Sequence, residues 1–491
     1  MISFEQLKKL NSKGNVIPVY RKIPADLDTP VGAFIKLAKN KKNSFLLESI
    51  EGGEKLARYS FVGFDPFLVI EGNGASVVVK KDKVKKEFEA PPQDFIKELF
   101  SVYKPIRIEE LPRFTGGAVG YFAYDTIRWF EDIPDDNEAD LDLPEMLFGL
   151  YRNIVAFDHL KQEIVIISNI LHEPGESGLK NKYTEAKTIL DGIVKQLQSK
   201  TARPDPIKAT KPKVSADYSQ EQFVKMVKKA KKYIKEGDIF QVVLSQRWQI
   251  ESDNSPLQVY RNLRRLNPSP YMFLLNFGNN SIIGSSPEMM VRVENNQIET
   301  RPIAGTRPRG KNEDEDNKLI KSLVADEKEL AEHTMLLDLG RNDCGRVSQP
   351  GTVAVKDYMH IEKYSHVIHI VSSVTGQLDK SFSATDGLFA CFPAGTVSGA
   401  PKIRAMEIID ELEQYKRSVY AGAVAYIDFW GNLDSCIAIR TVVKTNGRYY
   451  LQAGAGIVAD SKPKKEFLET QAKARALLKA ITGDEQYDFD A

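Results

Sequence analysis

SVYAGAVAYIDFWGNLDSCIAIRTVVKTNGRYYLQAGAG, residues 418–456, holds three strand-like runs, SVYAGAVAYID, SCIAIRTVVK and RYYLQAGAG, separated by turn residues. Thr445-Asn446-Gly447 has the chemistry of a tight hairpin turn. The runs predict an antiparallel meander. In it Arg440 lies on a strand from Cys436 to Lys444, on the same face as the small Cys436 and Ala438, with room for a ligand beside its guanidinium. Gly454-Ala455-Gly456 ends the next strand, where backbone N–H groups can approach a ligand closely.

Upstream, FLLES, YSFVGF, FLVIEG, ASVVVK, GGAVGYFAY, NIVAFD and EIVIIS alternate with Gly, Asn and Asp turns, so the N-terminal half is rich in short antiparallel strands. Gly116-Gly117-Ala118-Val119-Gly120-Tyr121 weakly echoes Ala421-Gly422-Ala423-Val424-Ala425-Tyr426, as two strands with similar packing needs would. Helical patterns near 315–341, 401–415 and 462–481 interrupt or follow strands without alternating regularly with them. The fold class expected is therefore α+β, not a doubly wound sheet. SKTARPDPIKATKPKV has no apolar periodicity, and it divides the chain into 1–198, a linker at 199–215, and 216–481. The helix after it has a Ser219-x-x-Gln222 capping box, a Tyr218/Phe223 staple, an apolar stripe through Phe223, Val227, Ala230 and Ile234, and a stop at Gly237.

At 491 residues the chain exceeds a single compact core. Lys plus Arg (68) nearly cancel Asp plus Glu (67), which argues against a nucleic-acid or membrane-surface partner. MISFEQLKKL lacks an apolar signal segment, no run is long enough to span a bilayer, and Cys344, Cys391 and Cys436 fit neither a disulfide framework nor a metal knuckle. A cytoplasmic location is expected.

The chemistry-bearing residues begin with two Glu-x-x-Glu pairs. Asp326-x-x-Glu329 resembles a capping box, after which Glu329 and Glu332 share a helix face; Glu466 and Glu469 repeat the spacing, with Lys473 on the same side. Each pair alone is ordinary surface chemistry. Facing one another, they would suit a hard, oxygen-seeking Mg²⁺. CFPAGTVSGAPKIRAMEII runs a Gly, Thr, Ser and Gly loop into Pro401 at a helix start, a pattern equally at home in an anion site with Thr396 and Ser398 or in a capped helix. Ile303-Ala304-Gly305-Thr306 ends a strand beginning near Gln297 and offers a glycine backbone and a hydroxyl. His366 and His369 lie three apart in a run that periodicity leaves open between helix and strand. Zinc hydrolase, esterase, Walker-loop and dinucleotide patterns are missing.

Ser286-Pro287-Glu288, Pro302-Ile-Ala-Gly-Thr306, Glu329-Leu-Ala-Glu332-His333, Asp338-Leu-Gly-Arg-Asn-Asp343, Pro393-Ala-Gly-Thr396-Val-Ser-Gly-Ala-Pro401-Lys402, Arg440-Thr441 and Gly454-Ala-Gly456 stand in one order. Together they resemble the chorismate-utilising enzymes. Leu46-Leu-Glu-Ser49 and Arg58-Tyr-Ser-Phe61 extend the resemblance, toward the anthranilate synthase large subunits, into an N-terminal regulatory domain. The resemblance implies packed antiparallel sheets flanked by helices, with chorismate between them. It implies magnesium carboxylates at Glu332 and Glu469 with Glu329 and Glu466 alongside, and chorismate contacts from Gly305, Thr306, Tyr420, Arg440, Gly454, Ala455 and Gly456. It also implies Glu288 as general acid, Thr396 and Gln241 within the catalytic machinery, and His369 at an elimination step. Family members that add water are similar but carry Lys where Gln241 stands, and aminodeoxychorismate synthases carry a nucleophilic Lys where Ala304 stands. With both absent, the implied reaction is amination of chorismate to anthranilate and pyruvate, the first committed step toward tryptophan. The implied ammonia source is a separate glutamine amidotransferase subunit, and the implied feedback inhibitor is tryptophan, bound by Ser49, Pro270, Tyr271 and Met272. An aminodeoxychorismate synthase and an inactive tryptophan-binding regulator are the alternatives.

Overall fold

The computed structural model describes residues 1–49, 58–200, 205–364 and 367–489. Two twelve-stranded sheets organise them, and every recorded pairing within the sheets is antiparallel. The first runs, in spatial order, from Val16–Pro24 through Glu163–Leu171, Asn153–Asp158, Tyr59–Phe64, Asn43–Glu48, Tyr271–Phe277, Asn280–Ser286, Thr441–Thr445 and Arg448–Ile457 to Gln241–Ile250 and Val214–Ala216, with Gly399–Ala400 also on Gln241–Ile250. The second runs from Ile303–Pro308 through Val367–Gln377, Gln297–Thr300, Met289–Glu294, Leu433–Ile437, Ala423–Asp428, Gly117–Phe122 and Met146–Tyr151 to Leu68–Asn73, Ser76–Lys81 and Val84–Glu89, with Ala354–Lys363 also on Val367–Gln377. Strands from both sides of residues 199–215 thus share each sheet.

The sheets pack face to face. Phe45, Phe61, Phe273 and Ile282 of the first meet Val119, Tyr121, Val424 and Tyr426 of the second in one buried cluster. Phe114 binds it together, 4.6 Å from Tyr426 and edge-on to Phe61 at 5.4 Å, a geometry that adds to the burial of each ring. Helices cover the outer faces. Pro30–Leu37, Leu179–Leu197, Pro256–Leu266, Lys402–Leu412 and Pro463–Thr482 lie over the first sheet, and Glu327–Gly345 and Ala384–Cys391 over the second. Among the described residues no helix is long and apolar enough to cross a membrane.

Local signals hold well at several points. Gln220–Glu236 carries the expected Ser219/Gln222 capping box and ends at Gly237 with φ +88°, while Tyr218 and Phe223 belong to one apolar cluster. The echoing segments are neighbours: Gly117–Phe122 pairs with Ala423–Asp428. Other expectations are corrected. The pattern near 315–341 is two helices, Glu313–Val324 and Glu327–Gly345, because Asp326 caps the second with its carboxylate on the N–H groups of Lys328 and Glu329. The reciprocal half of that box is missing, since Glu329 turns to Arg307 instead. The strand expected from Gln297 to Thr306 is two strands, Gln297–Thr300 and Ile303–Pro308. The histidine run is a strand, Val367–Gln377; His366 lies outside the described residues.

The run SCIAIRTVVK breaks as well. Leu433–Ile437 belongs to the second sheet and Thr441–Thr445 to the first, so the chain crosses between sheets at residues 438–440. Arg440 stands at that corner with φ +49°, not on a strand.

Candidate active site between the sheets

Two sheet-crossing corners meet and define the cleft. Asn280–Ser286 lies in the first sheet and Met289–Glu294 in the second, so Ser286-Pro287-Glu288 is also a crossing. The corners are bonded together: Ile437 N–H donates to the Glu288 carbonyl at 3.0 Å, Ser285 N–H to the Arg440 carbonyl at 3.1 Å, and Ser286 Oγ to the Ile437 carbonyl at 2.7 Å. These bonds hold Arg440 in a left-handed conformation that costs an L-residue about 1 kcal/mol or more. Among the described residues the Arg440 guanidinium makes no recorded hydrogen bond or ion pair. It feels Glu288 and Tyr420, but burial outweighs them and lowers its pKa. A partly buried cation with unspent donors is suited to a carboxylate ligand.

Glu288 accepts a hydrogen bond from Thr396 Oγ1 at 2.9 Å. Burial pushes its pKa above the ordinary carboxylate value against that bond and against Lys473 and Arg440, which favours the protonated state a general acid needs. Thr396 lies in the Gly-Thr-Ser loop, which is not an open anion cradle. Ser398 Oγ donates to the Ala394 carbonyl at 2.9 Å, Val243 N–H donates to the Ser398 carbonyl, and Gly399–Ala400 pairs with Gln241–Val242. Pro401 is the residue before the helix Lys402–Leu412, not inside it.

The opposite wall is Arg448–Ile457. Gly454 and Gly456 point into the cleft: a Cβ on Gly454 would lie 2.8 Å from the Tyr420 hydroxyl, and one on Gly456 would lie 2.6 Å from Gln241 Nε2. Ala455 turns its methyl the other way, into the apolar cluster beneath the helices, so only its backbone can serve a ligand. Burial raises the Tyr420 hydroxyl's pKa, keeping it a neutral donor.

The glutamate pairs flank the same wall. Gln241 hydrogen-bonds Glu332, and Lys473 acts on both Glu332 and Glu466. Lys473 Nζ reaches Glu469 at 2.8 Å and the Gly454 carbonyl at 3.0 Å. Burial first, then the neighbouring Glu329, raises the Glu332 pKa; burial also raises that of Glu466, with Glu469 adding to it. Glu329 accepts from Arg307 at 3.0 Å, and a Cβ on Gly305 would lie 3.3 Å from its Oε2. Among the described residues no three His, Cys, Asp or Glu side chains converge as a metal cluster. Glu332 and Glu466 are nonetheless oxygen donors whose charge is disfavoured by burial and a like neighbour, a chemistry that suits a hard divalent cation.

His369 faces the cleft from Val367–Gln377, opposite Thr306 across the strand pair. Its Nδ1 lies 3.1 Å from both the Gly305 carbonyl and Thr306 Oγ1. A carbonyl only accepts, so Nδ1 carries the hydrogen and Nε2 is left as a base. Burial lowers its pKa, favouring the neutral ring. Gly305 itself has φ +74° at a register shift in the strand, a position that favours glycine.

Ser49, Pro270, Tyr271 and Met272 line a second cavity with Phe61, Val424 and Tyr426. Three of its charged residues, Arg113, Arg292 and Asp434, were not visible in sequence. The Asp434 side chain is 3% exposed; it accepts from Arg292 at 2.9 Å and from the Tyr271 hydroxyl at 3.1 Å, and Arg113 lies 3.2 Å away. Residues 113, 292 and 434 share no motif; Arg292 and Asp434 stand opposite one another on paired strands of the second sheet, and Arg113 joins them from outside the strands.

Residues 42–479 match the family model described as chorismate binding enzyme. Anthranilate synthase component 1 of Acetivibrio thermocellus is 50% identical over 487 residues, covering 98% of each chain. The chain belongs to the chorismate-binding enzymes, in their anthranilate synthase component 1 family. The Aquifex aeolicus component 1 is 46% identical, covering 98% of this chain and 97% of its own. The crystal structure of anthranilate synthase component I from Streptococcus pneumoniae superposes with a TM-score of 0.77 at 38% identity, covering 93% of this chain and 98% of that one. The menaquinone-specific isochorismate synthase of Escherichia coli shares the fold at 19% identity, TM-score 0.72, with 97% and 98% covered. In this chorismate-binding enzyme, Arg307 and Lys473 are the cations that hold the acidic pairs. Lys473 was signalled by its spacing from Glu469; Arg307 had no signal in the sequence.

Proposed function

We propose that the chain converts chorismate and ammonia to anthranilate and pyruvate. The observation that carries this reading is the residue types at Gln241, on the cleft wall beside Gly456, and Ala304, on the strand that pairs with that of His369. Neither position offers an amine, so no side chain there activates water or forms a covalent adduct, and free ammonia is left as the nucleophile. Arg440 and the backbone around Gly454 and Gly456 bind carboxylate. Glu288, protonated and oriented by Thr396, gives its proton to the C4 hydroxyl, which leaves as water while ammonia bonds to C2. His369 Nε2 then takes the C2 proton, the C3–O bond breaks, and pyruvate departs from an aromatic ring. Mg²⁺, held by Glu332 and Glu469 with Glu329 and Glu466 alongside, would neutralise substrate carboxylate charge.

Ammonia is supplied by a separate glutamine amidotransferase subunit in the cytoplasm. Tryptophan inhibits from the cavity at Ser49, Pro270, Tyr271 and Met272, where Asp434 complements its ammonium group and apolar side chains its ring. Anthranilate fluorescence from chorismate, ammonium and Mg²⁺ tests the reaction; formation of a 4-amino product instead would sink it. Glu469→Gln should cost at least about tenfold in rate and weaken the response to magnesium. Unchanged magnesium dependence would remove the metal assignment.

A further inference from the structure

His369 has a second set of supports beyond those at Nδ1. It stands directly across the strand pair from Glu362, so the two side chains rise from one face of the sheet. The Glu362 carboxylate accepts from the Tyr364 hydroxyl at 2.6 Å, from His360 Nε2 at 2.9 Å, and from Arg301. Burial works to raise its pKa, but those three donors hold it below the ordinary value, so Glu362 is an anion with its lone pairs engaged. The Tyr364 ring stands edge-on to the His369 imidazole, with centroids 5.8 Å apart and planes at 66°.

An imidazole tethered only at Nδ1 keeps rotational freedom about χ2, a soft torsion for this side chain. Tyr364 limits that motion on one side. Glu362 prevents Tyr364 from turning away, and Arg301 and His360 keep Glu362 in place.

We propose that Tyr364 and Glu362 are positioning residues for one half of the reaction, a buttress that aims His369 at the ring proton whose removal releases pyruvate. The inference rests on the chorismate-to-anthranilate reading above. In this half-reaction the C2–H bond breaks and its proton goes to His369 Nε2, while the electron pair completes the aromatic ring. The C3–O bond breaks with its electrons on oxygen, and the departing enolate takes a proton at its methylene carbon to become pyruvate. Amination and loss of the C4 hydroxyl use Glu288, which stands at the chain crossing beside Arg440 and is held by Thr396. A misaimed His369 therefore slows elimination and leaves amination intact.

The test compares the full chain with Glu362→Gln and Tyr364→Phe, in chorismate, ammonium chloride and Mg²⁺. Chorismate loss is followed by absorbance, anthranilate by fluorescence, and the non-aromatic aminated intermediate by chromatography. Chorismate consumption should stay within about threefold of wild type and its KM within about twofold, while anthranilate formed per chorismate consumed falls by about fivefold or more and the intermediate makes up the difference. A merely structural role would lower both half-reactions together. That result, or stoichiometric anthranilate in both variants, would overturn the proposal. Should Glu362→Gln fail to fold, Tyr364→Phe and Tyr364→Leu decide on the same product ratio, with the larger effect expected from Leu. Wild type that yields no anthranilate would overturn the reaction assignment instead.

Discussion

Gly454→Ala should damage the cleft in a way that can be worked out from three distances. The new Cβ would lie 2.8 Å from the Tyr420 hydroxyl, 2.9 Å from Val243 Cγ1 and 3.1 Å from the Leu244 carbonyl. Two of these neighbours are fixed. Residues 243–245 are paired with 454–456 in the sheet, and the Val243 carbonyl is held by Arg417 at 2.7 Å. Tyr420 is the part that can move, and it is 7% exposed, with little space to enter. Overpacking of this kind costs about 1–3 kcal/mol of stability. A displacement of a few tenths of an ångström at a substrate-facing hydroxyl should cost about 10- to 100-fold in kcat/KM, or roughly 1.4–2.7 kcal/mol of transition-state stabilisation. Urea denaturation and ammonia-dependent anthranilate fluorescence measure the two losses. Gly192→Ala is the control: it lies within the helix Leu179–Leu197 and a Cβ there meets nothing within 4 Å, so the variant should gain about 0.5–1 kcal/mol at unchanged activity. Wild-type kcat/KM in Gly454→Ala would refute the placement of Tyr420 and Gly454 against the substrate.

Thr396→Val removes the donor that favours the ionised form of Glu288, so the Glu288 pKa should rise further and the alkaline limb of the rate profile should move to higher pH, with kcat down about tenfold; a pH–rate series checks both. Burial lifts the Asp428 carboxyl from 3.8 to about 7 against its bonds to Asn432. The unfolded chain ionises near pH 4 and the folded chain near 7, so stability falls as pH rises through that window, by about 4 kcal/mol at full effect. Asp428→Asn should flatten this dependence in denaturation curves at pH 5 and 8; an unchanged slope would assign the loss elsewhere. Tyr271→Phe deletes the hydroxyl that donates to Asp434 at 3.1 Å, and tryptophan inhibition should weaken several-fold, by about 1 kcal/mol, with uninhibited activity retained. Unaltered inhibition would move the effector out of this cavity.

Signals acting within a turn or two of chain were legible. The Ser219 capping box, the Gly237 stop and the strand-rich character of both halves all follow from neighbouring residues. Misreadings came where a distant partner competed. Glu329 could have closed a capping box with Asp326, but Arg307 offers it a full charge at 3.0 Å. Arg440 reads as part of a strand because residues 436–444 have uninterrupted strand composition. It sits at a corner because its two flanking strands pair in different sheets, and composition carries no record of which sheet a strand joins.

The sequence by itself determined the kinds of chemistry available and, through Gln241 and Ala304, that no amine stands at either discriminating position. It also determined the antiparallel α+β character, since strand periodicity and turn chemistry are local. Only the tertiary structure decided which groups meet. Glu288 and Arg440 share a cleft because two chain crossings are bonded to each other, and Ser49 shares a cavity with Tyr271 because Asn43–Glu48 pairs with Tyr271–Phe277 across more than two hundred residues of chain. Local propensity reaches about four residues along the chain, whereas sheet pairing is chosen by the burial of whole faces.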